Sequence, residues 1–313
     1  MRTPRDLATT LPSPSELDNC HRCPCIWYLK DRLWIKTRKE VMAYQGGRVM
    51  DTVLNTWLTH WMNDPRNSLA VTTQDVLNHW DEEVEKLLPQ FEADELLPLM
   101  ASCRDALVAW LTLYGNVREN VLLVQPKFTS PSTGKLDYVV EEDGMAVLRE
   151  RKVISPFADI DDEIAKYQLG FQPSCYSVLF KRNYVPAMEV KCVEMEFLIR
   201  SAPGRGRYKP VPAAVRRALI YVTDWKERMW QSSATATNEY MKWLESCYLT
   251  GEVDCDTVAF EMIPRHTRNC IVKLGNKSYP CEFHKACLAN IDPRHLDDYV
   301  CELEDASGDS KGP

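Results

Sequence analysis

The stretch from Gly134 to Val153 limits what this chain can fold into more than any other. It reads as two strands about a turn: one over 135–140, a polar turn over 141–144, and a second strand over 145–153. The Val, Leu and Tyr residues on both arms suit a mostly buried hairpin. Asp137, Glu150 and Lys152 fall near the ends of those arms. Glu150 and Lys152 stand two apart, so on a strand they point to one face. The run Arg149-Glu150-Arg151 adjoins an otherwise apolar strand, where charge is costly to bury unless it binds something. Two carboxylates able to share a hard cation, beside one ammonium, make a metal-assisted hydrolytic centre. The alternative is a solvated strand end with an ordinary Glu–Lys pair.

The chain has 313 residues, enough for one large domain with a substantial core. Its formal net charge of −7 argues against a protein that coats nucleic acid non-specifically. It leaves room for an enzyme with a local basic groove, because steering follows charge distribution more than the total. No apolar run reads as membrane-spanning and the N-terminus lacks an apolar signal core, so a cytoplasmic protein with no membrane partner is expected. Twelve cysteines admit a disulfide framework, buried thiols or a metal site. Their crowding toward the two ends favours the metal site.

In chain order, 1–12 reads as a flexible lead, and Ser13-Pro14-Ser15-Glu16 as a helix start. Cys20, Cys23 and Cys25 follow in a C-x-x-C-x-C run that could bind zinc but has no second pair at finger-like spacing. Val49, Val53, Leu54, Trp57, Leu58 and Trp61 recur at helical spacing, and 64–120 holds two further helical runs. A first core strand is expected over 121–128. A single helix is expected over 161–181, kinked at Pro173, with Gln172 and Tyr176 on one face. A last strand is expected over 192–199. The basic loop that follows, with Arg205, Arg207 and Lys209, suits a phosphate backbone. Arg216 and Arg217, expected to open a long helix, join it as candidate nucleic-acid contacts. From 304 the chain is polar and reads as a disordered tail.

Taken in order, Gly134-x-x-Asp137, Glu150-x-Lys152 and Gln172-x-x-x-Tyr176 resemble the PD-(D/E)XK nuclease superfamily in its RecB-like branch, which includes CRISPR-associated and phage members. The resemblance implies an α/β fold, a mixed sheet flanked by helices, within a single domain over 13–303. N-terminal helices would occupy 13–63, a helical insert framing the cleft 64–120, the catalytic core 121–200 and a C-terminal segment 201–303. It implies Mg²⁺ or Mn²⁺ on Asp137 and Glu150, with Lys152 activating water and Gln172 and Tyr176 positioning the strand. Asp51, in Gly47-Arg48-Val49-Met50-Asp51, stands where the family usually has a His ligand. The resemblance also implies a [4Fe-4S] cluster on Cys23, Cys270, Cys281 and Cys287 joining the two ends. Cys20 or Cys25 could replace Cys23; zinc, with His284, and plain buried thiols stay open. The implied activity is a metal-dependent DNA exonuclease of recombination, repair or replication in a bacterial or phage-infected cytoplasm, with DNA and a recombination or replication protein as partners. The alternative is a non-catalytic nucleic-acid-binding module or scaffold on the same fold.

Overall fold

The computed structural model describes residues 7–32, 35–63, 71–115, 119–128, 130–184, 187–204, 209–248, 271–274, 277–281, 283 and 299–301. In chain order these form α1 (Pro14–Arg22), α2 (Pro24–Trp27), β1 (Ile35–Thr37), α3 (Arg38–Asn63), α4 (Thr73–Glu85) and α5 (Ala93–Tyr114). Then come β2 (Asn120–Val124), β3 (Lys127–Phe128), β4 (Gly134–Lys135), β5 (Tyr138–Glu142) and β6 (Met145–Ile154). The chain continues with α6 (Ile160–Leu169), α7 (Gln172–Asn183), β7 (Val190–Ile199), β8 (Ala214–Ile220) and α8 (Asp224–Tyr248). Last are β9 (Ile271–Leu274), β10 (Lys277–Pro280) and β11 (Tyr299–Cys301). They group into two units, one drawn from Met1–Val41, Ser130–Thr133 and Met229–Pro313, the other from Met42–Thr129 and Gly134–Arg228.

The second unit is built on a five-stranded mixed sheet of order β2-β5-β6-β7-β8. β5 and β6 are joined by a two-residue turn at Asp143 and Gly144, with φ of 54° and 76°. Such tight hairpins need positive φ at both centres, which Gly reaches without steric cost and Asp tolerates. β6 and β7 run parallel, so the chain must cross over between them. α6 and α7 are that crossover. One sheet face packs under α3, α4 and α5, with Trp57, Trp80 and Trp110 buried among Tyr138, Val140, Val147 and Leu198. Trp57 meets Trp110 edge-on at 5.4 Å, a favoured aromatic geometry. On the opposite face α7 packs on β7, and Tyr167 of α6 meets Phe197 of β7 at 5.8 Å.

The expected mixed sheet flanked by helices is therefore present, with local differences. The helix expected over 161–181 is two helices. α6 ends where Gly170 turns extended, and Pro173 lies in the first turn of α7, where its missing N–H is not needed. Arg216 and Arg217 lie on β8, not in a helix, because Val215, Arg217 and Leu219 alternate with Ala214, Arg216 and Ala218 across an edge strand. The hairpin's first arm is interrupted: β4 pairs with β3, and β5 starts only at Tyr138. α5 is long and apolar enough to cross a membrane by length and composition. Here Leu96, Met100, Cys103, Leu107, Trp110 and Leu111 bury its apolar stripe in the core.

In the first unit, Ser13 caps α1. Its hydroxyl accepts from Glu16 N at 3.3 Å, while the Glu16 carboxylate accepts from Ser13 N at 2.9 Å. This reciprocal capping box is the expected helix start. Leu7, within the stretch read as a lead, is buried. Cys20, Cys23, Cys25 and Cys281 share one buried cluster with Trp27, Leu29 and Phe283.

Candidate active site

Asp137 occupies the break between β4 and β5, where two backbone groups lock it. Its carbonyl accepts from Gln125 N at 2.7 Å, and its Oδ2 accepts from Arg151 N at 2.6 Å. Gln125 itself has φ 49°, a left-handed conformation that a non-glycine residue adopts only when its surroundings enforce it. Gly134, three residues before Asp137, has a packing reason. A Cβ there would lie 2.7 Å from Leu179 Cδ1, so glycine lets α7 lie over β4 without displacing the Leu179 side chain. That approach brings the Tyr176 hydroxyl within 3.1 Å of the Lys135 carbonyl, to which it donates.

β6 sorts its charges by face. Arg149 and Arg151 point with Val147 toward the helical core, whereas Glu150 and Lys152 point toward α6 and α7. Glu150 Oε1 accepts from Lys152 Nζ at 2.6 Å and from Gln172 Nε2 at 3.0 Å. The Tyr176 hydroxyl stands 3.4 Å from the same oxygen and accepts from Gln172 Nε2 at 2.8 Å. Glu150 Oε2 is buried and has no hydrogen-bond partner among the described residues. Of the expected set, Lys152, Gln172 and Tyr176 thus gather on the Glu150 carboxylate, while Asp137 is held by the backbone N–H of Arg151, the residue after Glu150.

Electrostatics mark the same place. Burial, opposed by Lys152 and reinforced by the nearby Asp137, pushes the Glu150 carboxyl up to about 7. Burial and the charge of Asp137 push Asp51 up to about 6, against the pull of Arg151, Lys152 and Lys135. Burial works against the Lys152 ammonium, but Glu150, Tyr167 and Tyr176 outweigh it and hold its pKa well above the usual value. Carboxylates crowded until they retain protons near neutrality are a common mark of a functional site. Asp51 also edges a groove of about 530 Å³ whose walls are α3, the end of β2 and β4, with Arg48, Lys135 and Gln125 on its rim. α4 and α5 supply no wall residue of it.

The donor set suits a hard divalent cation: carboxylate oxygens, one of them a buried orphan, under mutual repulsion. Among the described residues no three His, Cys, Asp or Glu side chains converge as a complete metal site. A Mg²⁺ held by carboxylates generally keeps several waters and takes phosphate oxygens for the rest of its shell. Of the four expected cluster cysteines, Cys23 and Cys281 lie in one buried cluster, while Cys270 and Cys287 fall outside the described residues. Arg205 and Arg207 also fall outside them; Lys209 and Arg216 are exposed. Arg217 is committed to an internal network, pairing with Glu196 at 2.5 Å, Glu119 at 3.4 Å and Glu194 at 3.7 Å. Its guanidinium carbon also lies 3.6 Å from the centroid of the Tyr114 ring.

Sequence reasoning missed that network. Arg149 bridges Glu119, Glu142 and Glu194, and the buried Tyr138 hydroxyl donates to Glu196 at 2.9 Å. The signal was present: Glu194 and Glu196 repeat with the strand period, as Arg149 and Arg151 do on the neighbouring strand. The charges on that face are buried because they bind one another. Asn55, which accepts from Arg151 Nη2, left no trace in the pattern.

No curated protein matches the chain. The family model of the PD-(D/E)XK nuclease superfamily matches residues 12–287, spanning Asp51, Asp137, the Glu150-Lys152 pair and the Gln172-Tyr176 face. The chain belongs to the PD-(D/E)XK nuclease superfamily, whose members are hydrolytic nucleases that generally use divalent metals.

Proposed function

We propose that the protein is a metal-dependent deoxyribonuclease that shortens DNA from strand ends, an exonuclease of the RecB-like kind serving recombination, repair or replication. The observation that carries this reading is Glu150: one oxygen gathers Lys152, Gln172 and Tyr176, while the other is buried without a partner. Asp137 and Glu150, with Asp51 beside them, would hold Mg²⁺ or Mn²⁺. A divalent ion there supplies Lewis-acid polarisation of the phosphate and a more acidic water. Lys152, charged and held by Glu150, orients the attacking water and faces the negative charge that develops on the phosphate oxygens. Gln172 fixes Glu150 and Tyr176 in one hydrogen-bonded array, so the carboxylate cannot turn away from the scissile phosphate. Water oxygen bonds to phosphorus as its proton passes to solvent, the P–O3′ bond breaks, the leaving O3′ takes a proton from solvent, and the ends left are a 5′-phosphate and a 3′-hydroxyl.

The same reading assigns the phosphate backbone to Lys209 and Arg216, with Arg205 and Arg207 from the adjoining loop. Arg217 enters it only through its network, which anchors β8. A [4Fe-4S] cluster on Cys23, Cys270, Cys281 and Cys287 belongs to this reading. It is supported by Cys23 and Cys281, from opposite ends of the chain, sharing one buried cluster. A recombination or replication protein is the proposed macromolecular partner.

End-labelled linear DNA, single- and double-stranded, and covalently closed circles incubated with MnCl₂ test the activity. Linear substrates should shorten from their ends, circles should survive, and Lys152→Ala should abolish cleavage with its circular dichroism unchanged. Cleavage of circles would make the enzyme an endonuclease. An inert wild-type protein that still binds DNA would favour the non-catalytic reading.

A further inference from the structure

Arg151, the middle residue between Glu150 and Lys152, points away from them through the sheet. It is 4% exposed. Its Nη2 donates to Asn55 Oδ1 on α3, and Asn55 lies one helical turn beyond Asp51 on the same groove wall. Its guanidinium carbon is 5.2 Å from the centroid of the Tyr138 ring, and its backbone N–H holds Asp137. Arg151 Nε and Nη1 meet no hydrogen-bond acceptor among the described residues. Arginine cannot shed its proton in a protein, so this is a fixed buried charge with spare donors behind the acidic cluster.

We propose that Arg151 is a positioning residue that takes the place of a second metal ion, neutralising the Asp51 and Asp137 side of the cluster so that the centre accepts one divalent ion. The inference rests on the metal-dependent reading above. Asp51, Asp137 and Glu150 supply three negative charges once ionised; Lys152 and the buried Arg151 answer two of them permanently, and Lys135 and Arg48 add positive charge from the groove's rim. One divalent ion therefore already leaves the pocket positive, ready for a phosphate. A second would place a large excess of positive charge in a half-buried site beside the fixed guanidinium of Arg151.

Calorimetric titration of the metal-free full chain with MnCl₂, with the bound ion counted by electron paramagnetic resonance, tests this without reference to activity. Wild type and Arg151→Lys should each bind one Mn²⁺. Arg151→Met should bind the first ion about tenfold tighter or more, as expected for removing a unit charge a few ångströms away, and should show a second binding event. Two ions on the wild type, or an Arg151→Met protein with wild-type stoichiometry and affinity, would overturn the role given to Arg151 while leaving the metal site standing. A wild type that binds no Mn²⁺ would remove the metal-dependent reading itself. Should Arg151→Met fail to fold, Arg151→Gln, which removes the charge but keeps a donor for Asn55, takes its place with the same expected and contradicting results.

Discussion

Glu150 concentrates the argument at the residue scale. Its folded-state pKa of about 7 lies above the ordinary 4.5, so the neutral carboxyl is favoured by folding. Its contribution is fully present below about pH 4.5 and is lost as pH rises through about 7. A shift of that size corresponds to about 3 kcal/mol, and Asp51, raised to about 6, adds in the same direction. The metal-free protein should therefore lose stability across that window, and saturating Mn²⁺ should restore it. Glu150→Gln should gain on wild type by about 3 kcal/mol between pH 4.5 and pH 8 in urea unfolding with EDTA. A constant difference between the two proteins across that range would contradict the buried, uncompensated carboxylate. The residues of this centre were legible because strand period and helix spacing alone put Glu150 with Lys152 and Gln172 with Tyr176. Arg151 was not, since nothing in the pattern shows which helix lies behind a strand.

At the scale of elements, the site depends on how closely α7 lies on β4. Gly134→Ala puts a Cβ 2.7 Å from Leu179 Cδ1, and such overpacking costs about 1–3 kcal/mol. It should also displace Gln172 and Tyr176 and lower kcat for DNA cleavage. Leu179→Ala in the same protein should recover part of the lost kcat by making room; a double variant slower than Gly134→Ala alone would disprove the link. The other face of β6 predicts a purely structural effect. Arg149→Met leaves Glu119 and Glu194 with only the longer pairings to Arg217, and should lower unfolding free energy by about 3 kcal/mol in chemical denaturation. A loss under 1 kcal/mol would mean the carboxylates find other partners. Periodicity revealed most helices and the sheet's central strands. It misread β8, where two adjacent arginines masked a strand alternation, and it ran α6 into α7, because Gly170 ends a helix by conformation and leaves the apolar pattern almost intact.

At the scale of the whole molecule, the order of weak motifs along the chain was worth more than any one of them. Asp137, Glu150-Lys152 and Gln172-Tyr176 could be assigned to a family before any fold was known, because they resemble the family's motifs in its own order. The cysteines illustrate the reverse case: Cys23 and Cys281 share a buried cluster, but spacing alone cannot distinguish a cofactor from packed thiols. Protein purified without oxygen should carry four iron and four sulfide per chain, and Cys281→Ser should lose both together with thermal stability. Zinc in place of iron, or no metal, would remove the cluster and leave the nuclease centre untouched. The central claim is that the carboxylate gathered by Lys152, Gln172 and Tyr176 is the catalytic metal ligand. The rate of Mn²⁺-dependent hydrolysis of end-labelled DNA by Glu150→Ala, on protein whose circular dichroism matches wild type, tests it most directly. The predicted result is no hydrolysis above the level seen with EDTA; hydrolysis at the wild-type rate would contradict the assignment.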